Sequence, residues 1–145
     1  MKIKRTGSAR WQGGFKDGSG TISTHSKALS DYPYGLASRF DDKPGTNPEE
    51  LIGAAHSGCF TMALSLVLSE SGLTATQLET SAEVVIEAVE KGFAITSVHL
   101  VLNATIPGVT EEQFQALALA AKLNCPVSKL LTADITLHAT LLPGL

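Results

Sequence analysis

The run Asn47-Pro48-Glu49-Glu50-Leu51 carries the signals of a helix start. Asn47 suits the cap, Pro48 the first helical position where no N–H is needed, and Glu49 and Glu50 complement the positive end of the helix dipole. From Leu51 to Ser69 the chain then contains no Asp, Glu, Lys or Arg. Apolar and small side chains occupy every face of this stretch, so the expectation is a central helix buried all round. Gly53, Ala54, Ala55, Ser57 and Gly58 leave room for another backbone or a ligand to approach just before Cys59. The same stretch reaches the minimum length of a membrane span. His56, Ser57, Thr61 and Ser65 interrupt it, its start is capped for water, and no basic flank sets an orientation, so no membrane insertion is expected.

A helix with no wet face needs cover on all sides. The chain of 145 residues reads as one domain, 1–145, large enough for a core of its own. With only 17% charged residues it has apolar surface to hide, and a second copy of the chain is the expected cover. A net charge of −3 offers no basic footprint for nucleic acid. Met1 to Arg5 begins with positive charge, but Thr6 to Arg10 supplies no apolar core of a signal peptide, which points to the cytoplasm. In that compartment two cysteines are catalytic, redox-active or simply buried rather than a structural disulfide. Neither they nor the four histidines show metal-ligand spacing, so no metal or bound cofactor is expected.

Around the central helix the chain reads as strands first. Residues 1–46 suggest a hairpin, punctuated by Gly13-Gly14 and Asp17-Gly18, followed by a connecting loop from Asp31 to Gly45 that carries Arg39 beside Phe40. Ser71-Gly72 ends the helix. Ala82, Val84, Ile86 and Ala88 then share one face of a strand, and after a turn at Lys91-Gly92 the residues Ala94, Val98, Leu100, Leu102, Ala104 and Ile106 continue an apolar face on the return. His99 falls on the opposite face. Thr110 followed by Gln113 caps a second helix with Phe114, Leu117, Ala118 and Ala121 on its inner side. The chain breaks at Asn124-Cys125-Pro126, restarts as a short helix through Leu131, and ends in a strand with Ile135, Leu137, Ala139 and Leu141 inward. This order predicts an α+β fold with mostly antiparallel sheet.

On local grounds Cys125 is the easier thiol to ionise, because it precedes Pro126 at a helix start where free N–H groups favour a thiolate. Cys59 sits inside a helix among apolar neighbours, which raises a thiol pKa unless a cation reaches it. Both cysteines also read as buried small hydrophobes, Glu49 as a helix-dipole carboxylate and Arg39 as half of a surface ion pair.

Gly45-Thr46-Asn47-Pro48-Glu49-Glu50-Leu51, continuing to Ala54-Ala55-His56-Ser57-Gly58-Cys59-Phe60, together with Cys125-Pro126-Val127-Ser128 far downstream, resembles the OsmC/Ohr family of thiol-dependent hydroperoxide reductases. Trp11, Pro33-Tyr34-Gly35, Phe93-Ala94-Ile95-Thr96 and the last strand look like its OsmC branch, so the likeness spans nearly the whole chain. The resemblance implies an OsmC-like fold, an intertwined homodimer with active sites at the subunit interface, and an antioxidant role. It implies that Cys59 is the peroxidatic thiol, Cys125 the resolving thiol, and Arg39 and Glu49 the polar pair of the reactive centre. It also implies an external dithiol reductant, lipoyl-type among the candidates, in place of a bound cofactor.

A thiol of pKa about 8.5 is about 3% ionised at pH 7, so lowering its pKa multiplies the thiolate by at most about 30-fold. The rest of the acceleration has to come from orienting the peroxide and stabilising the departing alkoxide, a task for a planar guanidinium. Two other readings of the residues remain open. His56, three positions before Cys59, would suit a Cys–His hydrolase, although the sequence offers no evident partner to orient it. The apolar helix would equally suit a noncatalytic dimer that binds an apolar ligand.

Overall fold

The computed structural model describes residues 1–144, in which 1–51 and 52–144 form two compact units. The elements are α+β throughout: two three-stranded sheets and one long helix dominate.

In the first unit β1 (Gly7–Gln12) and β2 (Ser19–Thr24) form the expected antiparallel hairpin, and β3 (Tyr32–Tyr34) adds antiparallel to β2. Close packing fixes one glycine here. A Cβ on Gly20 would lie 2.5 Å from the Tyr34 ring and 2.8 Å from the Trp11 ring, and those two rings stand 5.5 Å apart. The expected loop from Asp31 to Gly45 is more ordered than its prolines suggest. Pro33 is tolerated because β3 is an edge strand, and its carbonyl accepts hydrogen bonds from the backbone N–H and hydroxyl of Thr46. A short helix, α1 (Leu36–Phe40), follows and carries Arg39. The buried Ser38 hydroxyl ties it down by donating to the Thr46 carbonyl at 2.9 Å.

The long helix α2 runs from Pro48 to Glu70 and starts as its sequence predicts: Asn47 Oδ1 accepts from the Glu50 N–H at 2.7 Å. Its end is a Schellman turn. Gly72 takes φ +73°, the Leu73 N–H reaches the Leu68 carbonyl at 2.9 Å, and the Gly72 N–H reaches that of Ser69.

In the second unit β4 (Gln77–Val89), β5 (Gly92–Thr105) and β6 (Asp134–Leu141) form a sheet in that order. β4 and β5 are antiparallel, whereas β6 lies parallel to β5 after the crossover through α3 (Glu111–Asn124) and α4 (Pro126–Leu130). Thr110 caps α3 by accepting from the Gln113 N–H at 3.1 Å. Phe60, Leu64 and Leu68 of α2 form the core with Val98, Leu100 and Leu102 of the sheet and Phe114, Ala118 and Ala121 of α3. Gly53 lets α2 approach β4, since a Cβ there would meet the Ala82 carbonyl oxygen at 3.0 Å. Thr61 adds a hydrogen bond to Thr80 at 2.7 Å.

Two expectations need correction. The long ribbon contains a bulge: Val85 pairs with Ser97 but Ile86 pairs with Ile95, which leaves Thr96 outside the register. One extra residue reverses which side chains share a face. Ile95 therefore joins Ile86, and Ala94, placed by simple alternation on the apolar face, stands opposite Glu87 instead. The helix α2 is also not buried all round within this chain. Gly53, His56, Phe60, Leu64 and Leu68 are buried, whereas Ala54, Ala55, Gly58, Met62 and Leu66 are exposed. By length and composition α2 could cross a membrane. Its buried stripe at helical spacing packs as the core helix of a folded unit does.

Candidate active site

The four residues singled out by sequence fall into two pairs. In the first unit Arg39 and Glu49 form an ion pair, with Arg39 Nη2 at 2.7 Å from Glu49 Oε1 and Nε at 3.1 and 3.3 Å from the two carboxylate oxygens. The fork is presented to Glu49 by α1, and the carboxylate by the first turn of α2. Glu49 is nearly buried, its side chain 10% exposed, while that of Arg39 remains 38% exposed. A buried carboxylate thus holds a guanidinium whose remaining N–H groups are available to a second anion. Arg39 also lies over the Phe40 ring, 5.4 Å from its centroid.

In the second unit Cys59 of α2 meets Cys125 at the junction of α3 and α4. Both are free thiols, Cys59 half-buried and Cys125 fully buried. They lie near enough for each to shift the ionisation of the other. Burial pushes the Cys59 thiol up, the backbone N–H of Val127 pulls it down, and the hydrogen bond and charge of Cys125 push it up again, leaving it above its ordinary value. Burial also opposes ionisation of Cys125. There the hydrogen bond from Cys59, the N–H and hydroxyl of Ser128 and the N–H of Val127 outweigh it and hold the thiol below its ordinary value. This direction agrees with the local expectation that Cys125 is the easier thiol to ionise: it stands at the N-cap position of α4, with Pro126 next.

Sequence reasoning did not join His56 and Ser128, which lie 72 positions apart. His56 is fully buried, and its Nε2 lies 2.9 Å from Ser128 Oγ. The available signal was a matched spacing, with His56 three residues before Cys59 and Ser128 three residues after Cys125. Among the described residues His56 Nδ1 has no hydrogen-bond partner. No carboxylate or amide therefore orients the ring as a Cys–His hydrolase requires, and Nε2 is engaged by a serine.

Burial lowers the His56 pKa from its ordinary 6.5. The unfolded chain then takes up a proton before the native chain does, so stability is full above pH 6.5 and falls as pH drops below it, until the native histidine also protonates. The loss is at most about 1.4 kcal/mol per pH unit for a single proton. Urea unfolding followed from neutral to mildly acidic pH should show this limb in the parent protein and a flatter one in His56→Gln. An identical acid limb in both would refute it.

No group of three or more His, Cys, Asp or Glu side chains among the described residues is placed to hold a metal ion. A family model described as OsmC-like protein matches residues 40–139. Peroxiredoxin OsmC of Escherichia coli strain K12 is 49% identical over 137 residues, which cover 94% of this chain and 96% of that protein. The organic hydroperoxide resistance protein of Xanthomonas axonopodis pv. citri is 30% identical over 98 residues, 67% of each chain. Among solved structures, the organic hydroperoxide resistance protein OhrB of Bacillus subtilis superposes with a TM-score of 0.73 at 30% identity, covering 93% of this chain and 98% of that one. An OsmC-like protein from Mycoplasma pneumoniae reaches 0.78 at 15% identity over 99% and 100% of the two chains, a likeness of fold alone. With a family match over most of its length, a near full-length relative at 49% identity and the same α+β fold, this chain belongs to the OsmC family, as its residue pattern implied.

Proposed function

We propose that the protein is a cysteine-based peroxidase that reduces organic hydroperoxides. The observation that carries this reading is the pair of neighbouring free thiols, Cys59 and Cys125, in a chain 49% identical to a peroxiredoxin. Cys59 reacts as the thiolate while Cys125 keeps its proton. The Cys59 sulfur attacks the distal peroxide oxygen, the O–O bond breaks, and the electron pair leaves on the alkoxide, which takes a proton from solvent. The product is Cys59 sulfenic acid. Cys125 condenses with it to a disulfide before further oxidation, and an external dithiol, lipoyl-type being one class, resets the pair. A guanidinium held by a carboxylate, as Arg39 is by Glu49, is the group that the resemblance implies for stabilising the departing alkoxide. A homodimer with the reaction centres at the subunit interface, acting in the cytoplasm, completes the proposal. The open apolar face of α2 supports the dimer, since Met62 and Leu66 lie exposed upon it.

Substrate preference follows from the walls. Phe60, next to Cys59 in the chain, turns into the core, where it packs with residues of the sheet. Ala55, Met62 and Ala63 remain as apolar surface within a turn of Cys59. Each substrate methylene buried there contributes about 0.8 kcal/mol, so four carbons contribute up to about 3 kcal/mol, or about a hundredfold in transition-state binding. Hydrogen peroxide has no carbon to bury. We therefore expect kcat/KM for tert-butyl or cumene hydroperoxide to exceed that for hydrogen peroxide by at least about tenfold, the low end once burial is partial. Steady-state rates with one fixed dithiol test this. Equal values would sink the apolar pocket, and no thiol loss with any peroxide would sink the peroxidase.

A further inference from the structure

The amide of Asn47 does more than cap α2. Asn47 is buried between the two segments that carry the Arg39–Glu49 ion pair. Its Oδ1 accepts from the Glu50 N–H at 2.7 Å, and its Nδ2 donates to the Ser38 carbonyl at 3.2 Å. The partners tell the two ends of the amide apart, since an N–H needs an acceptor and a carbonyl needs a donor. The Ser38 carbonyl belongs to the planar peptide unit that ends in the Arg39 N–H, and the Glu50 N–H to the unit that begins at the Glu49 carbonyl. One side chain thus grips the unit before the guanidinium and the unit after the carboxylate. Ser38 closes this clasp from its own side: its buried hydroxyl donates to the Thr46 carbonyl at 2.9 Å, one residue before Asn47.

We propose that Asn47 is a positioning residue for the reaction: by tying the Ser38–Arg39 peptide to the start of α2, it sets the guanidinium on Glu49 before the O–O bond breaks. It acts through Arg39. A helix of five residues such as α1 is too short to be stable by itself, and Ser38 is its one buried residue. The bonds made by Asn47 and Ser38 therefore decide where Arg39 stands. A donor fixed in advance stabilises a departing oxyanion without reorganising as the charge develops, which is what gives such a donor its effect. The residue type fits the task. Ser or Asp would cap α2 about as well, but only an amide offers an acceptor to one segment and a donor to the other. This assignment rests on the reading that Arg39 stabilises the departing alkoxide.

Asn47→Ser and Asn47→Asp keep a capping oxygen for α2 and delete the amide donor to Ser38. The first readout uses no peroxide. In isotope-labelled protein the Arg39 Nε–H, which donates to Glu49, gives a nuclear magnetic resonance signal identified by its loss in Arg39→Lys. Its exchange with water should be faster by about tenfold in both Asn47 variants, as the loss of one buried hydrogen bond entails. The second readout compares thiol oxidation by tert-butyl hydroperoxide, which releases an alkoxide, with that by peracetic acid, whose carboxylate leaves with far less help. Arg39→Ala should slow the alkyl hydroperoxide by about a hundredfold and the peracid much less. Asn47→Ser should slow the alkyl hydroperoxide by about tenfold, again with little effect on the peracid. A merely structural role reduces the folded fraction and slows both alike. An Arg39 signal that exchanges as in the parent overturns the proposal, and so does faster exchange with both peroxides slowed equally. An Arg39→Ala protein that slows both peroxides alike refutes the reading of Arg39 and the proposal with it. If Arg39→Ala discriminates and Asn47→Ser does not, the clasp alone is refuted. Should Asn47→Asp fail to fold, because its carboxylate faces the Ser38 carbonyl, Asn47→Ser decides.

Discussion

Cys59→Ser should abolish hydroperoxide reduction, whereas Cys125→Ser should reduce about one equivalent and then accumulate sulfinic acid at Cys59. The asymmetry follows from where the two sulfurs lie. Cys59 is half-buried on α2, beside the open face of that helix, while Cys125 is fully buried behind it. Only the first is placed to meet a substrate from outside, although the second is the more readily ionised. A serine at Cys125 cannot form the disulfide, so the sulfenic acid stays exposed to the next peroxide. Mass spectrometry after stoichiometric and then excess hydroperoxide distinguishes the forms. An active Cys59→Ser protein beside a dead Cys125→Ser protein would mean that ionisation, and not access, selects the reacting thiol.

The second large effect concerns assembly. Met62 is 75% and Leu66 60% exposed on the face of α2 that this chain leaves open, next to Ala54, Ala55 and Gly58. Burying the two large side chains against a second copy would contribute about 1.5–3 kcal/mol each if the burial is complete. An aspartate in either place forfeits that contribution and adds the cost of desolvating a charge, several kcal/mol if it stays ionised. The parent protein should sediment as a dimer over a wide dilution range, and Met62→Asp or Leu66→Asp should weaken the dimer by at least about a hundredfold, since each decade corresponds to only about 1.4 kcal/mol. A stable parent monomer at about micromolar concentration would sink the idea.

Features encoded over a few residues are legible in the amino-acid sequence alone. The Asn47 cap, the helix end at Gly72, the Thr110–Gln113 capping contact and the restart at Pro126 each depend on neighbours within one helical turn, and each lies where the residues indicate. The low charge of residues 51–69 announces a core helix for the same reason. The thiol pair is legible in another way, through a resemblance covering segments far apart in the chain, because spacing alone does not bring Cys59 to Cys125.

What the sequence determined by itself was thus the set of elements, their caps and the residue types available for chemistry. Tertiary structure alone decided the bulge that leaves out Thr96 and moves Ala94 off the apolar face, the parallel seating of β6 on β5, and which stripe of a uniformly apolar α2 turns inward. It also decided that His56 reaches Ser128, 72 positions away. The division has a physical reason: caps and alternation are written by interactions within a few residues, whereas strand pairing, burial and the field at a sulfur depend on groups that only folding brings together.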